Sequence, residues 1–373
     1  MTLGDKELNS KSTKNRIISY IIKNGSASRK EIAKHLGVTT ATLTIATSGL
    51  IDAGIVEELG TVEEGKVGRK QVMLDVKEDL WFAVGVDITS TALCITILNI
   101  KSDILEEMTW KYKLLTETIL EEAMDYLGKI MQKYKQKRIL GIGLLMQGYV
   151  ENDQCYTLPI HDIKEKINNR FTVPVFMMNN VKGLAVAEYY FGNATQNFLL
   201  VKYGPGVGGV IVVNGEIVEG FHNRAGEIGH IRWNSKSDKV CGICGKKGCL
   251  ETLVHFNTIL GRLGQDVENI DCDLCAILEH SEKDQFKILN ESLSTLAEAT
   301  SVFVDILDPD QIFLAGDIFK EESLFQHFLN EVNDKSGIES SRIKRVENYR
   351  MKRRKASGVI VLNEYFGKGD MPI

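Results

Sequence analysis

The sequence predicts an α/β protein: a winged helix-turn-helix head followed by a body of two α/β lobes. Three observations carry this. Residues 1–78 hold three short helical segments, a tight Gly37-Val38 turn and two strand-like runs. Residues 81–87 and 92–98 are apolar, β-rich runs around a polar turn, and a comparable pair, 198–203 and 209–213, begins about 115 residues later. Between residues 225 and 251, one histidine and three cysteines form the stretch around which the second half is organised. The expected boundaries are 1–78 for the head, 79–195 for the first lobe with 356–373 returning to it, and 196–355 for the second lobe.

With 373 residues and 43% hydrophobic content, the chain can build two or three domains with well-formed cores. Its net charge of −5 gives no hint of nucleic acid in bulk, but the distribution does. Residues 1–54 carry eight Lys and Arg against four acids, so that segment is +4 and the remainder −9. A basic head on an acidic body suits a DNA-binding module joined to something else. Seven cysteines are an odd number, and three belong to the cluster, which argues against a disulfide framework. With no visible signal peptide or apolar run of spanning length, a cytoplasmic protein without membrane attachment is expected.

In the head, Ile17, Ile18, Ile21 and Ile22 recur at helical spacing, and Asn24-Gly25 ends that helix. Ser28-x-x-Glu31 reads as a capping box opening a helix over 29–36, stopped at Gly37. Thr39 caps a third helix through about Ala53, with Leu43, Leu50 and Ile51 as its buried stripe. That third helix would lie in the major groove. Residues 55–59 and 71–74 read as strands joined by a glycine-bearing wing, 60–68. Thr39, Thr40, Thr42 and Thr44 would read bases through hydroxyls and methyl contacts. Arg29 and the wing cations Lys66, Arg69 and Lys70 would meet the DNA backbone or minor groove. No Lys or Arg lies between Thr39 and Ala53, so affinity should come largely from phosphates and depend strongly on salt. The bland alternative is a small helical interaction module.

His230, Cys241, Cys244 and Cys249 are a full tetrahedral set for a structural Zn²⁺, with no open position. Gly242, Gly245 and Gly248 punctuate the cysteines as a tight knuckle requires. Its flanks carry the carboxylates Glu227 and Glu251, so the metal would hold acceptor groups in place. A loop of three unconnected thiols is the alternative.

The run Ala225-Gly226-Glu227-Ile228-Gly229-His230, the clustered cysteines and Gly248-Cys249-Leu250-Glu251 together resemble the signature of the ROK family (repressors, open reading frames and sugar kinases). Members usually have one residue between the first two cysteines; here there are two, Gly242 and Ile243. The head resembles that of the family's repressor branch, in which the place of Ile45 often carries a basic residue. The resemblance implies an actin-like, sugar-kinase-type fold for the two lobes. It also implies sugar-hydroxyl contacts at Asn179, Glu227, His230 and Glu251, with Asn180 where the kinases place their catalytic Asp. It implies a dimer or tetramer as well.

Phosphoryl transfer needs a phosphate cradle and a base. The kinases' Asp-x-Gly-Gly-Thr is here Asp87-Ile88-Thr89-Ser90-Thr91, and their Asn-Asp is Asn179-Asn180. Their adenosine-side Gly-Gly is Ala315-Gly316-Asp317. Gly204-x-Gly206-x-Gly208-Gly209 remains as either a phosphate loop or a tight hairpin. The expectation is therefore a repressor of carbohydrate genes, of the xylose or N-acetylglucosamine type, without a catalytic residue. It would bind operator DNA, a sugar effector and further copies of itself. The alternatives are an active ATP-dependent sugar kinase with an appended head, and a repressor whose effector is a protein. Residues 250–263 read as one helix, and Ala356-Ser357-Gly358-Val359-Ile360 resembles the small-residue start of the family's last helix; Cys272-x2-Cys275 reads as ordinary small residues, and the basic run 342–355 as a solvated face.

Overall fold

The structure, a computed structural model, describes residues 13–62, 71–264 and 283–368. Lys66, Arg69, Lys70, Cys272 and Cys275 lie outside the described residues. The chain divides into two compact units, Met1–Phe191 with Arg353–Ile373, and Gly192–Lys352.

The first unit opens with the head. Helix α1 (Thr13–Asn24) buries the four isoleucines of the helical pattern and stops at Gly25, whose φ is 83°. The capping box of α2 (Arg29–Leu36) is complete: Ser28 Oγ accepts from Glu31 N at 3.3 Å, and Glu31 Oε2 accepts from Ser28 N at 2.8 Å. Thr39 Oγ1 accepts from Thr42 N at 3.1 Å and caps α3 (Thr40–Asp52). This helix buries Leu43, Ala46, Thr47 and Leu50. Ile51, expected in that stripe, is only half-buried. Residue 51, at i+8 from Leu43, falls at the edge of the apolar stripe, where burial is partial. Strands β1 (Ala27–Ser28), β2 (Val56–Val62) and β3 (Gln71–Val76) make an antiparallel sheet in the order β1-β3-β2, with an irregularity between Glu58 and Thr61. Three helices and this hairpin are a winged helix-turn-helix.

Next come β4 (Trp81–Ile88), β5 (Ala92–Asn99) and β6 (Ile104–Lys111), antiparallel neighbours. Strands β7 (Arg138–Met146) and β10 (Val175–Asn179) run parallel to β4 in the sheet β10-β7-β4-β5-β6. Every residue of β4 is buried, as a central strand covered on both faces requires. Helix α4 (Glu117–Lys133) packs Leu120, Met124, Leu127 and Ile130 into that core. The small hairpin β8 (Val150–Glu151) and β9 (Gln154–Cys155), α5 (Ile163–Arg170) and α6 (Asn180–Phe191) complete this part.

The second unit repeats the plan. Strands β11 (Phe198–Tyr203), β12 (Val207–Val213) and β13 (Glu216–Ile217) are antiparallel, and β14 (Gln311–Ala315) and β15 (Ile343–Arg345) are parallel to β11. The order β13-β12-β11-β14-β15 matches the first sheet strand for strand, which is the duplicated actin-like body. Residues 250–263, expected as one helix, form two: α7 (Glu251–Val254) and α8 (Phe256–Arg262). His255 breaks them, with ψ at 140° and its Nδ1 accepting from Asn257 N at 3.1 Å as the cap of α8. Helices α9 (Lys283–Leu307) and α10 (Glu322–Ser336) cover the sheet.

The last helix, α11 (Tyr349–Leu362), starts well before Ala356 and ends in a π turn over Asn363–Lys368. The basic run 342–355 is largely exposed, as a solvated face is, and its arginines are paired there. Arg342 pairs with Asp308, Arg345 with Glu322, Arg350 with Asp317, Arg353 with Asp87 and Arg354 with Glu107, because an acid stands within reach of each. Among the described residues, no helix is long and apolar enough to cross a membrane.

Candidate metal centre and binding site

The loop leaving β13 runs against β12, where Gly226 (φ 83°) and Gly209 meet so closely that a Cβ on either would lie 2.7 Å from the other's carbonyl oxygen. A single 3₁₀ turn, Ile228–His230, then presents the His230 ring. The chain returns through bridges between Arg232 and Cys249 and between Val240 and Lys247. Cys241 N donates to Lys246 O at 2.8 Å and Gly245 N to Cys241 O at 2.9 Å, closing the knuckle. Gly245 and Gly248, both at φ 71°, supply the left-handed corners.

The donor atoms of His230, Cys241, Cys244 and Cys249 all lie within 4.8 Å of one another. Cys241 Sγ is 3.6 Å from His230 Nδ1, and Cys244 Sγ is 3.5 Å from Cys249 Sγ. A tetrahedral Zn²⁺ with bonds of about 2.3 Å to sulfur and 2.0 Å to nitrogen separates its donors by roughly 3.5–3.8 Å. The set fits. The two-residue spacer leaves Ile243 exposed and does not disturb the cluster. Burial keeps the His230 imidazole below its ordinary pKa, in the neutral form that ligates. Burial, with the neighbouring thiols, drives Cys249 up to about 12, a penalty that a bound dication reverses.

With Nδ1 on the cluster, His230 turns Nε2 toward Glu227, 4.0 Å from Oε2. Glu251 is 5% exposed; its Oε2 accepts from Val207 N at 2.8 Å, and Oε1 is 3.9 Å from His255 Nε2. Desolvation raises its pKa to about 7, against the Val207 amide and Lys202, which favour the carboxylate. Residues 204–209 form a tight hairpin, with Tyr203 paired to Val207. A Cβ on Gly206 would overlap Glu251 Oε1, so glycine there leaves the carboxylate its place. A cavity of about 460 Å³ opens beside the knuckle, lined by Cys241, Ile243, Glu251, His255, Asn257 and Thr258. His255 was not among the expected site residues. Its signal was the i,i+4 spacing from Glu251, which puts both side chains on one helical face.

In the first unit, Asn179 ends β10 and Asn180 begins α6. Asn179 Oδ1 accepts from Val181 N at 2.7 Å, and its amide donates to Gly148 O. It therefore caps α6 and ties down the turn after β7. Residues 88–92 form a closed turn. Thr89 Oγ1 accepts from Thr91 N at 3.3 Å and Ala92 N at 3.0 Å, while Gln147 Oε1 accepts from Ser90 N at 2.9 Å. Three consecutive amides are thus turned inward. Asp87 Oδ2 lies 3.7 Å from Arg353 Nε. In the second unit, Asp317 is paired with Arg350 at 2.9 Å and Lys320 at 2.6 Å, which holds its carboxyl below the usual range.

On the head, Thr39, Thr40, Thr42 and Thr44 are exposed, as is Ile45 at 76%. Arg29 turns inward, with NH2 2.8 Å from Glu58 Oε1 and Nε donating to Thr47 Oγ1 at 3.1 Å.

A winged helix-turn-helix joined to duplicated sheets and a Cys₃His cluster defines a sugar-kinase-type body with a DNA-binding module. The ROK family model matches residues 83–358, and the chain belongs to the ROK family. A model described as "Winged helix-turn-helix DNA-binding" matches residues 11–57. The xylose repressor of Caldicellulosiruptor bescii is 26% identical over 90% of this chain and 91% of its own length. The N-acetylglucosamine repressor of Shigella flexneri is 26% identical over 86% and 82%. A crystal structure of a ROK family transcriptional regulator, a homologue of the Escherichia coli MLC protein, superposes with a TM-score of 0.74 at 22% identity, covering 98% of both chains.

Proposed function

We propose that this chain is a sugar-responsive transcriptional repressor whose body has lost kinase chemistry. The observation that carries it is the closed turn after β4. The amides of Ser90, Thr91 and Ala92 are bonded internally, at the place where ROK kinases open a glycine-rich backbone to phosphate. An amide at Asn180 cannot act as the base that phosphoryl transfer needs, while Asn179 keeps the family's residue type. Glu227, His230 and Glu251, held by the knuckle, offer donors and acceptors to sugar hydroxyls. The knuckle metal is Zn²⁺, bound by His230, Cys241, Cys244 and Cys249, and it shapes the pocket without touching the ligand.

The head binds operator DNA through the exposed threonines 39, 40, 42 and 44 and through the wing cations Lys66, Arg69 and Lys70. Arg29 orders α2 against α3 and β2, and so acts on DNA by positioning that face. Homodimers or homotetramers would read paired half-sites. Names of relatives point to carbohydrate genes; the xylose and N-acetylglucosamine repressors are the guides to an effector.

The test has two arms on the full chain. A coupled ATP assay across xylose, glucose and N-acetylglucosamine is expected to show no turnover. Binding to the gene's own upstream DNA is expected to weaken when the matching sugar is added, with a sugar-dependent rise in melting temperature. Turnover abolished by Glu227→Ala would overturn the reading in favour of a kinase. DNA binding insensitive to every sugar would favour a protein effector.

A further inference from the structure

We infer that His255 is a specificity-determining residue for the sugar: together with Glu251 it recognises one hydroxyl of the effector in the cavity beside the knuckle. This deepens the sugar-effector reading above and rests on it. Every residue concerned belongs to the second unit.

The break between α7 and α8 fixes the histidine. Its amide donates to Glu251 O at 2.9 Å, and the next amide, Phe256 N, donates to Pro205 O at 2.9 Å. The Phe256 ring packs edge-on against the buried Tyr203, 5.2 Å between centroids. Thr258 Oγ1 donates to Thr252 O at 3.2 Å across the break. The backbone that carries His255 is thus tied to α7, to the β11–β12 hairpin and to its own following turn, so the ring starts from a fixed base. One ring nitrogen is already committed. Nδ1 accepts from Asn257 N at 3.1 Å, and an accepting nitrogen carries no proton, so the neutral ring bears its proton on Nε2. Burial, and after it the Lys202 cation, lowers the pKa of the ring and keeps it neutral.

This Nε2 donor stands 3.9 Å from Glu251 Oε1. The distance is too long for a direct bond, and it is one that an oxygen about 2.8 Å from each atom spans. Val207 N holds the other carboxylate oxygen, Oε2, at 2.8 Å, which orients Oε1 toward the histidine. An oxygen in that place has to accept from Nε2 and donate to Oε1. A hydroxyl does both, whereas a carbonyl or ether oxygen only accepts and an ammonium only donates. The cavity of about 460 Å³ adds Asn257 and Thr258 beside the pair, and the exposed Val240 and Ile243 of the knuckle loop contribute apolar lining. Polar groups from one segment and apolar side chains from another suit a sugar ring, which carries hydroxyls on its rim and C–H groups on its faces.

Two substitutions separate recognition from capping. His255→Gln puts an amide donor where Nε2 stands and gives up the cap of α8. His255→Asn keeps a capping acceptor where Nδ1 stands but is too short to place a donor beside Glu251. Calorimetry on the full-length wild type and both variants measures affinity for xylose, glucose and N-acetylglucosamine, and for the monodeoxy analogues of the sugar that binds. The sugar is expected to bind His255→Asn at least about tenfold more weakly than wild type and His255→Gln within about threefold. One monodeoxy analogue is expected to lose at least about tenfold on wild type, yet to match its parent sugar within about threefold on His255→Asn.

The reverse order, with His255→Asn like wild type and His255→Gln weakened, makes His255 a helix cap only and overturns the inference while the sugar effector stands. An analogue penalty as large on His255→Asn as on wild type overturns it whatever the order of the variants. Wild type that loses less than about threefold with every monodeoxy analogue overturns it without any variant. Wild type that binds none of the three sugars overturns both the effector reading and the role of His255.

Discussion

Glu31 shows how one side chain sets a local boundary. Its carboxylate accepts the Ser28 amide at 2.8 Å and the Ser28 hydroxyl at 2.8 Å, and these bonds hold its pKa below the ordinary glutamate value. A depressed carboxylate stabilises the fold above its unfolded pKa of about 4.3, and that contribution is lost as pH falls through the lower folded value. Glu31→Gln should destabilise the head by about 0.5–1 kcal/mol at pH 7, and the gap should close below about pH 4. Urea melts of the head transition at the two pH values check this; a gap independent of pH would remove the charge from the account. Cys249 works by a different physics. It is fully buried with Cys244 Sγ 3.5 Å away, so it would coordinate only at the cost of a thiolate that a metal must stabilise. Cys249→Ser should lower Zn²⁺ affinity at least about 100-fold and blunt the sugar response, while the head still binds DNA. Elemental analysis after dialysis reads the first effect. Full retention of metal would strike Cys249 from the ligand set.

At the scale of the element, α3 presents a face of threonines around an exposed Ile45 and no cation. If this face enters the major groove, Ile45→Lys adds a phosphate contact. The slope of log K against log salt should then steepen by about 0.9, and non-specific affinity should rise with it. Titration at three or more salt concentrations measures the slope, and an unchanged slope would place α3 away from the DNA. The helices of the head were legible because each start and stop is chemical: Ser28 and Thr39 cap, Gly25 and Gly37 end. Where an element was misread, the cause was tertiary. The run 250–263 is apolar enough for one helix, yet the chain must turn at His255 to leave Glu251 facing Val207. Helix α11 begins earlier than its small residues suggest because Arg350, Arg353 and Arg354 find acids on separate strands and loops, which no local pattern reveals.

For the whole molecule, two sheets of identical strand order carry one head, so induction is a coupling between distant sites. Coupling of binding is reciprocal. Whatever factor a sugar takes from DNA affinity, operator DNA must take from sugar affinity. Calorimetry of the sugar with and without the upstream duplex should give the same ratio, within error, as DNA titrations with and without sugar. Unequal ratios would mean that the sugar acts on assembly of the chain and not on a single oligomeric form. The sequence by itself determined the head, the Cys₃His set that could hold a metal and the doubling of the body. Those rest on short-range chemistry: caps, cysteine spacing, and alternating apolar runs. Only the tertiary structure decided that the amides after β4 are bonded inward and that Arg29 pairs with Glu58 and Thr47. Each of those depends on partners tens of residues apart, which meet only when the chain has folded.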